Sequence, residues 1–252
     1  SLHLAFDVGH SSIGWAVLDT TAKVDILGCG SVIFRADDCL ASERRVYRRQ
    51  RRNIRSTRQR IERLKTLLDH LGCLSKEQLD AIGNSSPWKQ AAQVSQGGDT
   101  LTWEELWNVL RWYAHNRGYD GNRGWSNQED AGDDDVEKVQ NANALMDEHN
   151  TATMADTVCA VSGIDPLGEK SSAAVDPKKR FKSQNAAFDR NIVRAEVRKL
   201  LEAHVGKLEK LDGKVIRCLI GDDPTDKDSW TAVPIPKIKL PKRYAGSLLF
   251  GQ

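Results

Sequence analysis

The sequence predicts an α+β chain: antiparallel strands first, then one long arginine-rich helix, then a mostly α-helical region. Three observations carry this expectation. Apolar runs of strand length, broken by glycine turns, fill the first 34 residues. Apolar residues then repeat every seven positions from Tyr47 to Leu68, and helix-start signals recur beyond residue 72.

The strands come first. Residues 2–6 are apolar and lead into Asp7, Val8 and Gly9, and an apolar run resumes over residues 13–18, the pattern of two strands joined by a turn. A third apolar stretch, residues 24–34, completes an antiparallel meander, and Gly28 and Gly30 inside it predict a bulge or twist. From Glu43 the period changes. Tyr47, Ile54, Ile61 and Leu68 recur every seven residues with Thr57, Leu64 and Leu71 on the same side, so residues 43–71 form a helix with one narrow apolar stripe, stopped by Gly72.

Beyond it, Ser75 with Gln78 and Thr102 with Glu105 have capping-box form. The second box opens a helix that buries Leu106, Trp107, Leu110 and Tyr113 before Gly118. Asp133, Asp134 and Asp135 stand where a helix N-terminus favours negative charge, ahead of Val136, Val139 and Met146. Residues 185–204 make a further amphipathic helix through Phe188, Ile192, Val193, Val197 and Leu201. Residues 163–182 and the proline-bearing stretch 222–241 lack periodicity and read as irregular.

At 252 residues and 39% hydrophobic content, the chain has room for one large or two small domains around a thin core. There is no run of 18 apolar residues and no signal-peptide pattern, so the expectation is a soluble cytosolic protein that meets no membrane. The five cysteines (Cys29, Cys39, Cys73, Cys159 and Cys218) are scattered without a CxxC pair, and the six histidines show no HxxxH spacing; neither a disulfide framework nor a zinc site is indicated. The net charge of +2 hides strong segregation, because residues 43–71 and 177–252 each sum to +8 and residues 129–176 to −10.

Ten arginines fall between Arg44 and Arg63, opposed in that window only by Glu62. At about 100° per residue, Arg44, Arg48, Arg51, Arg55 and Arg58 form one stripe, and Arg45, Arg49, Arg52, Arg60 and Arg63 form a second beside it. A solvated charged face, or a helix paired with the acidic block, is the structural alternative. Solvation alone gives no reason to choose arginine ten times over lysine once. A planar fork that holds phosphate oxygens two at a time does, so the expected partner is a polyphosphate chain.

Asp7-x-Gly9-x-x-Ser12-x-Gly14-Trp15 places a carboxylate at a strand end against a glycine turn. An RNase H-like nuclease uses such an aspartate to hold Mg²⁺ for attack on a phosphodiester; an actin-like ATPase uses such a turn to cradle ATP phosphates. A plain Asx turn at a hairpin is the third reading. The arginine helix directly after the third strand, with no second phosphate loop downstream, favours the nuclease.

Residues 4–18 (LAFDVGHSSIGWAVL) followed by residues 44–52 (RRVYRRQRR) resemble the first RuvC motif and bridge helix of the type II CRISPR effector nucleases, in particular the compact type II-C group. The pairing is far more specific than either half. Weaker resemblance continues at residues 110–119 (LRWYAHNRGY), 184–188 (QNAAF) and 240–252 (LPKRYAGSLLFGQ). The family is several times longer, and its later RuvC segments, HNH domain and PAM-reading domain have no counterpart here.

The resemblance implies an N-terminal part of an RNA-guided DNA endonuclease of the prokaryotic cytoplasm. Residues 1–42 would be the first segment of an RNase H-like fold, 43–71 the bridge helix and 72–252 part of the recognition lobe. Asp7 would ligate Mg²⁺ or Mn²⁺, and the arginines from Arg44 to Arg63 would hold a guide RNA, either crRNA with tracrRNA or a fused guide. Arg117, Tyr119 and Arg123 would add a smaller RNA contact. Target DNA, the remaining segments of the nuclease and an inhibitor protein covering the bridge helix complete the implied partners. Alone, the chain would be inactive, since one carboxylate cannot complete a two-metal site. The competing class is a non-catalytic RNA-binding module. Lys178, Lys179, Arg180 and Lys182 read as a solvated loop.

Overall fold

The computed structural model describes residues 1–9, 11–21, 23–35, 41–83, 87–119, 133–168, 181, 183–223, 225–235, 238 and 246–251, with the side chains of 41–43 and 133–135 excepted. The expectations for residues 169–180, and for Cys39, Arg123 and Lys182, lie outside these. The chain divides into two compact units, residues 1–56 and 57–252.

The first unit opens with the expected meander: β1 (Leu2–Val8), β2 (Ser12–Asp19) and β3 (Asp25–Ile33) in the order β1-β2-β3, antiparallel throughout. The register pairs Phe6 with Trp15 and Trp15 with Gly30, and pairs Asp7 with Gly14 and Gly14 with Ser31. Cross-strand partners share a face. One face therefore carries Leu4, Phe6, Val8, Ile13, Trp15, Val17 and Val32, and the other the small residues Ala5, Gly14, Ala16, Cys29 and Ser31 around Asp7. A register shift between Val17 and Leu18 leaves Leu27 as the extra residue, which is the anticipated bulge. The two glycines also have a second use. The Trp15 indole lies across β3, and a Cβ at Gly30 would stand 3.0 Å from three of its ring atoms.

Helix α1 (Ala41–Leu71) contributes its first half to this unit and its second half to the next. Its apolar stripe is used unevenly. Leu64, Leu67 and Leu68 are buried and Ile61 and Leu71 partly so, whereas Tyr47 and Ile54 are exposed, a departure from the continuous docking stripe that the heptad spacing predicts. Gly72, at φ +69°, ends the helix as expected.

The second unit is helical: α2 (Lys76–Ala81), α3 (Pro87–Ser95), α4 (Trp103–His115), α5 (Asp133–Glu148), α6 (Met154–Ser162), α7 (Arg190–Glu202) and α8 (Gly213–Ile220), followed by a 3₁₀ turn at Ser229–Ala232. Both capping boxes form, at Ser75 with Gln78 and at Thr102 with Glu105. The amphipathic pattern expected to start at residue 185 becomes helical only at Arg190, because Asp189 takes the N-cap and accepts from Asn191 N. Leu106, Trp107, Leu110, Tyr113, Val193, Val197, Leu201 and Leu219 fill one core with Leu64, Leu67 and Leu68. Each such side chain contributes about 1.5–3 kcal/mol through burial, so the second half of α1 is held by packing.

Two buried polar groups tie helices together. Glu196 of α7 accepts from Met154 N (2.7 Å) and Ala155 N (3.0 Å) at the start of α6 and from the Tyr113 hydroxyl of α4 (2.5 Å). Burial pushes its carboxyl up to about 7. His204 accepts from Leu101 N through Nε2 (2.8 Å) and meets the Leu200 carbonyl through Nδ1 (2.6 Å), which requires the neutral ring with its proton on Nδ1. Burial holds its pKa below the ordinary value, in keeping with that neutral state.

Candidate nucleic-acid interface

Arginine favours the helix almost as well as alanine, so the run from Arg44 to Arg63 stays helical despite its charge. Eight of its arginines (Arg44, Arg45, Arg48, Arg49, Arg51, Arg52, Arg55 and Arg58) are exposed. Cations in the first turns oppose the helix dipole, and like charges at i,i+4 repel. The exposure of Val46, Tyr47 and Ile54 means that apolar burial does not offset this. An anionic partner relieves both penalties at once.

Arg60 departs from the expected stripe. Only 7% exposed, it donates through Nε to the Ala114 carbonyl (3.1 Å) and through a terminal nitrogen to Thr57 Oγ1 (2.9 Å). Ala114 lies in the last turn of α4, where carbonyls lack intrahelical partners and a cation is favoured. Arg60 therefore docks α1 on α4 and is turned away from any ligand on the exposed face. A signal for this exists in the sequence: Arg60, Leu64, Leu67 and Leu71 stand at i, i+4, i+7 and i+11, in the apolar stripe itself. Arg63 is half-buried.

Arg117 and Tyr119 follow α4 directly. Arg117 donates to the Gly251 carbonyl (3.1 Å). Tyr119 is clamped through its backbone, donating to Phe188 O (2.7 Å) and accepting from Arg190 N (2.8 Å). Gly118, at φ +79°, permits this: a Cβ there would lie 2.8 Å from Arg190 Cα. Both side chains are half-buried, so Arg117 and Tyr119 are built into the framework around residues 188–190 and 251 as well as bordering the surface.

Asp7 sits near the end of β1 on the small-residue face, exposed, with Gly14 opposite it on β2. Gly9 N donates to Ser12 O (2.9 Å) and closes the turn between the strands. Among the described residues no three His, Cys, Asp or Glu side chains gather into a metal-binding group. The described residues thus offer a divalent cation one carboxylate, at Asp7, and do not by themselves fit an ion that needs several anionic ligands. No helix is long and apolar enough to cross a membrane among the described residues.

No family model matches the sequence, and no curated protein matches it. Solved structures do. The chain superposes on Cas9 of Campylobacter jejuni in complex with sgRNA and target DNA, with a TM-score of 0.54 and 18% identity over 85% of this chain. It superposes on the complex of St1Cas9 with sgRNA, AcrIIA6 and target DNA, with a TM-score of 0.51 and 18% identity over 98% of this chain. It spans 28% and 27% of the lengths of those two proteins. The three strands, the long helix and the helices after it are thus the fold of part of Cas9.

Proposed function

We propose that the chain is the N-terminal part of an RNA-guided DNA endonuclease, and that its own task is to grip guide RNA. One observation supports this most: eight exposed arginines on a single helix directly after a sheet that presents Asp7, within a fold shared with proteins solved on sgRNA and target DNA. In such a system base pairing reads sequence and the protein holds the backbone. The exposed face of α1 suits that division of labour, because guanidinium forks fix phosphates without distinguishing bases. Residues 1–42, 43–71 and 72–252 then act as first nuclease segment, bridge helix and part of a recognition lobe. Arg117 and Tyr119 extend the RNA contact from the end of α4, and Arg123 follows them in sequence.

Asp7 serves as one ligand to Mg²⁺ or Mn²⁺ in a site that further segments of the protein complete. When bound, the ion supplies Lewis-acid activation of the phosphodiester and of water. Within this chain Asp7 contributes a carboxylate on a face kept open by Ala5, Gly14 and Ser31, so a phosphate backbone can approach it. Leu4, Phe6 and Val8 stand exposed on the other face, and those same further segments cover them. Without them the chain binds RNA and cuts nothing.

Asp7→Ala in the full-length protein tests the assignment. Cleavage of one DNA strand should be lost while guide and target binding persist. Equal loss of binding would make Asp7 a structural turn residue and refute its role as a ligand.

A further inference from the structure

Away from the arginine face, a buried histidine closes the entrance to α4. His204 stands in the turn directly after α7 with no exposed surface, and both of its ring nitrogens are engaged. Nδ1 donates to the Leu200 carbonyl one turn back (2.6 Å), and Nε2 accepts from the backbone N–H of Leu101 (2.8 Å), just before the N-cap of α4 at Thr102. Leu101 is buried in the core and ends the connection from α3, which turns at Gly97 with φ +79°. Earlier on α7, Glu196 accepts from the Tyr113 hydroxyl near the other end of α4. One segment thus bolts α4 at both ends, each time through a buried group that titrates.

The two bolts answer acid differently. A neutral imidazole has one donor and one acceptor, and the fold uses both. A proton added at Nε2 turns that acceptor into a donor aimed at the Leu101 N–H, so the bond is lost and two donors face each other where water does not reach. A carboxyl group keeps acceptor capacity when protonated, so the Glu196 end holds. The charges around His204 do not reverse this. Lys207, on the same turn, opposes protonation of the ring, and burial holds its pKa below the ordinary value more strongly still. Glu202 of α7 pairs with Arg198 (3.8 Å). On the side of α4, Glu105 accepts from Thr102 N (2.9 Å) and Asp99 is exposed. Where α1 ends, Asp69 is half-buried, and Lys210 donates to the Gly72 carbonyl (3.3 Å).

We propose that His204 is an acid-sensitive latch: its protonation frees the Leu101 backbone and opens the connection between α3 and α4, while the Glu196 end of α4 and the Arg60 contact that docks α1 stay closed. The latch stands apart from the RNA-binding reading. Because the closed form excludes the proton, closure is fully present above the ordinary histidine pKa and weakens as pH falls below it.

The test is amide hydrogen exchange of the 252-residue chain, resolved at Leu101, corrected for its intrinsic pH dependence and read at pH 7.5 and pH 5.0. Protection of Leu101 should fall severalfold, to a limit of about thirtyfold set by an open-state ring that titrates at the ordinary 6.5. Met154 and Ala155, which donate to Glu196, should keep their protection. His204→Gln places a non-titrating oxygen where it can accept from Leu101 N, and should hold the protection of Leu101 level across the same range. Unchanged protection in the wild type overturns the latch. So does a fall that persists in His204→Gln, which would assign the effect to another histidine such as His115 at the end of α4. A parallel loss at Met154 and Ala155 would mean general loosening and equally overturns it. Should the variant fail to fold, the titration of the His204 ring by NMR in the native chain replaces it: the midpoint should lie below the ordinary value, and one at or above that value refutes the latch.

Discussion

Arg60 separates the arginines that hold the fold from those that face outward. Arg60→Met keeps the aliphatic stem but removes the donors to Ala114 O (3.1 Å) and Thr57 Oγ1 (2.9 Å). A hydrogen bond from a charged donor contributes about 1.5–3 kcal/mol net, and a cation at a helix C-terminus adds about 0.3–1 kcal/mol. The Ala114 carbonyl, on a residue with no exposed surface, is left short of a donor. The loss should be about 2–4 kcal/mol, close to the lower sum because methionine packs well in the vacated space. At about 2–4 °C per kcal/mol for a unit of this size, the Tm of the helical unit should fall by roughly 5–15 °C in scanning calorimetry. Exposed Arg52→Met should stay within about 0.5 kcal/mol of wild type. The RNA salt slope should respond in the opposite order, flattening for Arg52→Met and not for Arg60→Met. A wild-type Tm together with a flattened slope in Arg60→Met would refute the assignment of Arg60 as a docking residue.

Two further outcomes follow from the buried groups and the sheet. Glu196 has a folded pKa of about 7 against an ordinary 4.5; because it is raised, its contribution is fully present below pH 4.5 and is lost as pH rises through 7. At 1.36 kcal/mol per unit that is about 3 kcal/mol, so in urea unfolding Glu196→Gln should gain on wild type by this amount between pH 4.5 and pH 7.5, and a constant gap would contradict it. In the sheet, Gly30→Ala drives a methyl into the Trp15 ring and should cost about 1 kcal/mol or more, whereas Gly28→Ala, 3.7 Å from the nearest ring atom, should be close to neutral; equal effects in near-ultraviolet circular dichroism melts would discount the packing role of Gly30.

What the sequence reveals and what it hides have physical causes. Alternation and turn glycines specify β1 to β3 locally, and the capping residues Ser75 and Thr102 act within four residues, so these elements are legible. The arginine run is legible as charge, but the roles of its members are not, since the depth of Arg60 depends on where α4 ends, 54 positions away. The heptad predicts one docking stripe through Tyr47 and Ile54, yet periodicity reports only which residues share a face, and nothing among the described residues buries that half. In the sequence Glu196 is one more polar residue on an amphipathic helix. Its place between Val193, Val197 and Leu200 is the available hint, and its partners Tyr113, Met154 and Ala155 are brought to it by the tertiary fold. The bond from Arg117 to the Gly251 carbonyl is a tertiary product too, because the two residues lie 134 positions apart.

The central claim is that the exposed arginines of α1 neutralise RNA phosphates. Arg48, Arg51, Arg55 and Arg58 changed together to glutamine keep helix propensity near its starting value, so circular dichroism should change little. The measurement is the slope of log affinity against log salt for single-stranded RNA, which falls by about 0.7 for each phosphate no longer neutralised. The slope should shrink by roughly three units, with a matching fall in affinity. An unchanged slope with the helix intact would mean that these arginines serve protein carboxylates, and the claim would be wrong.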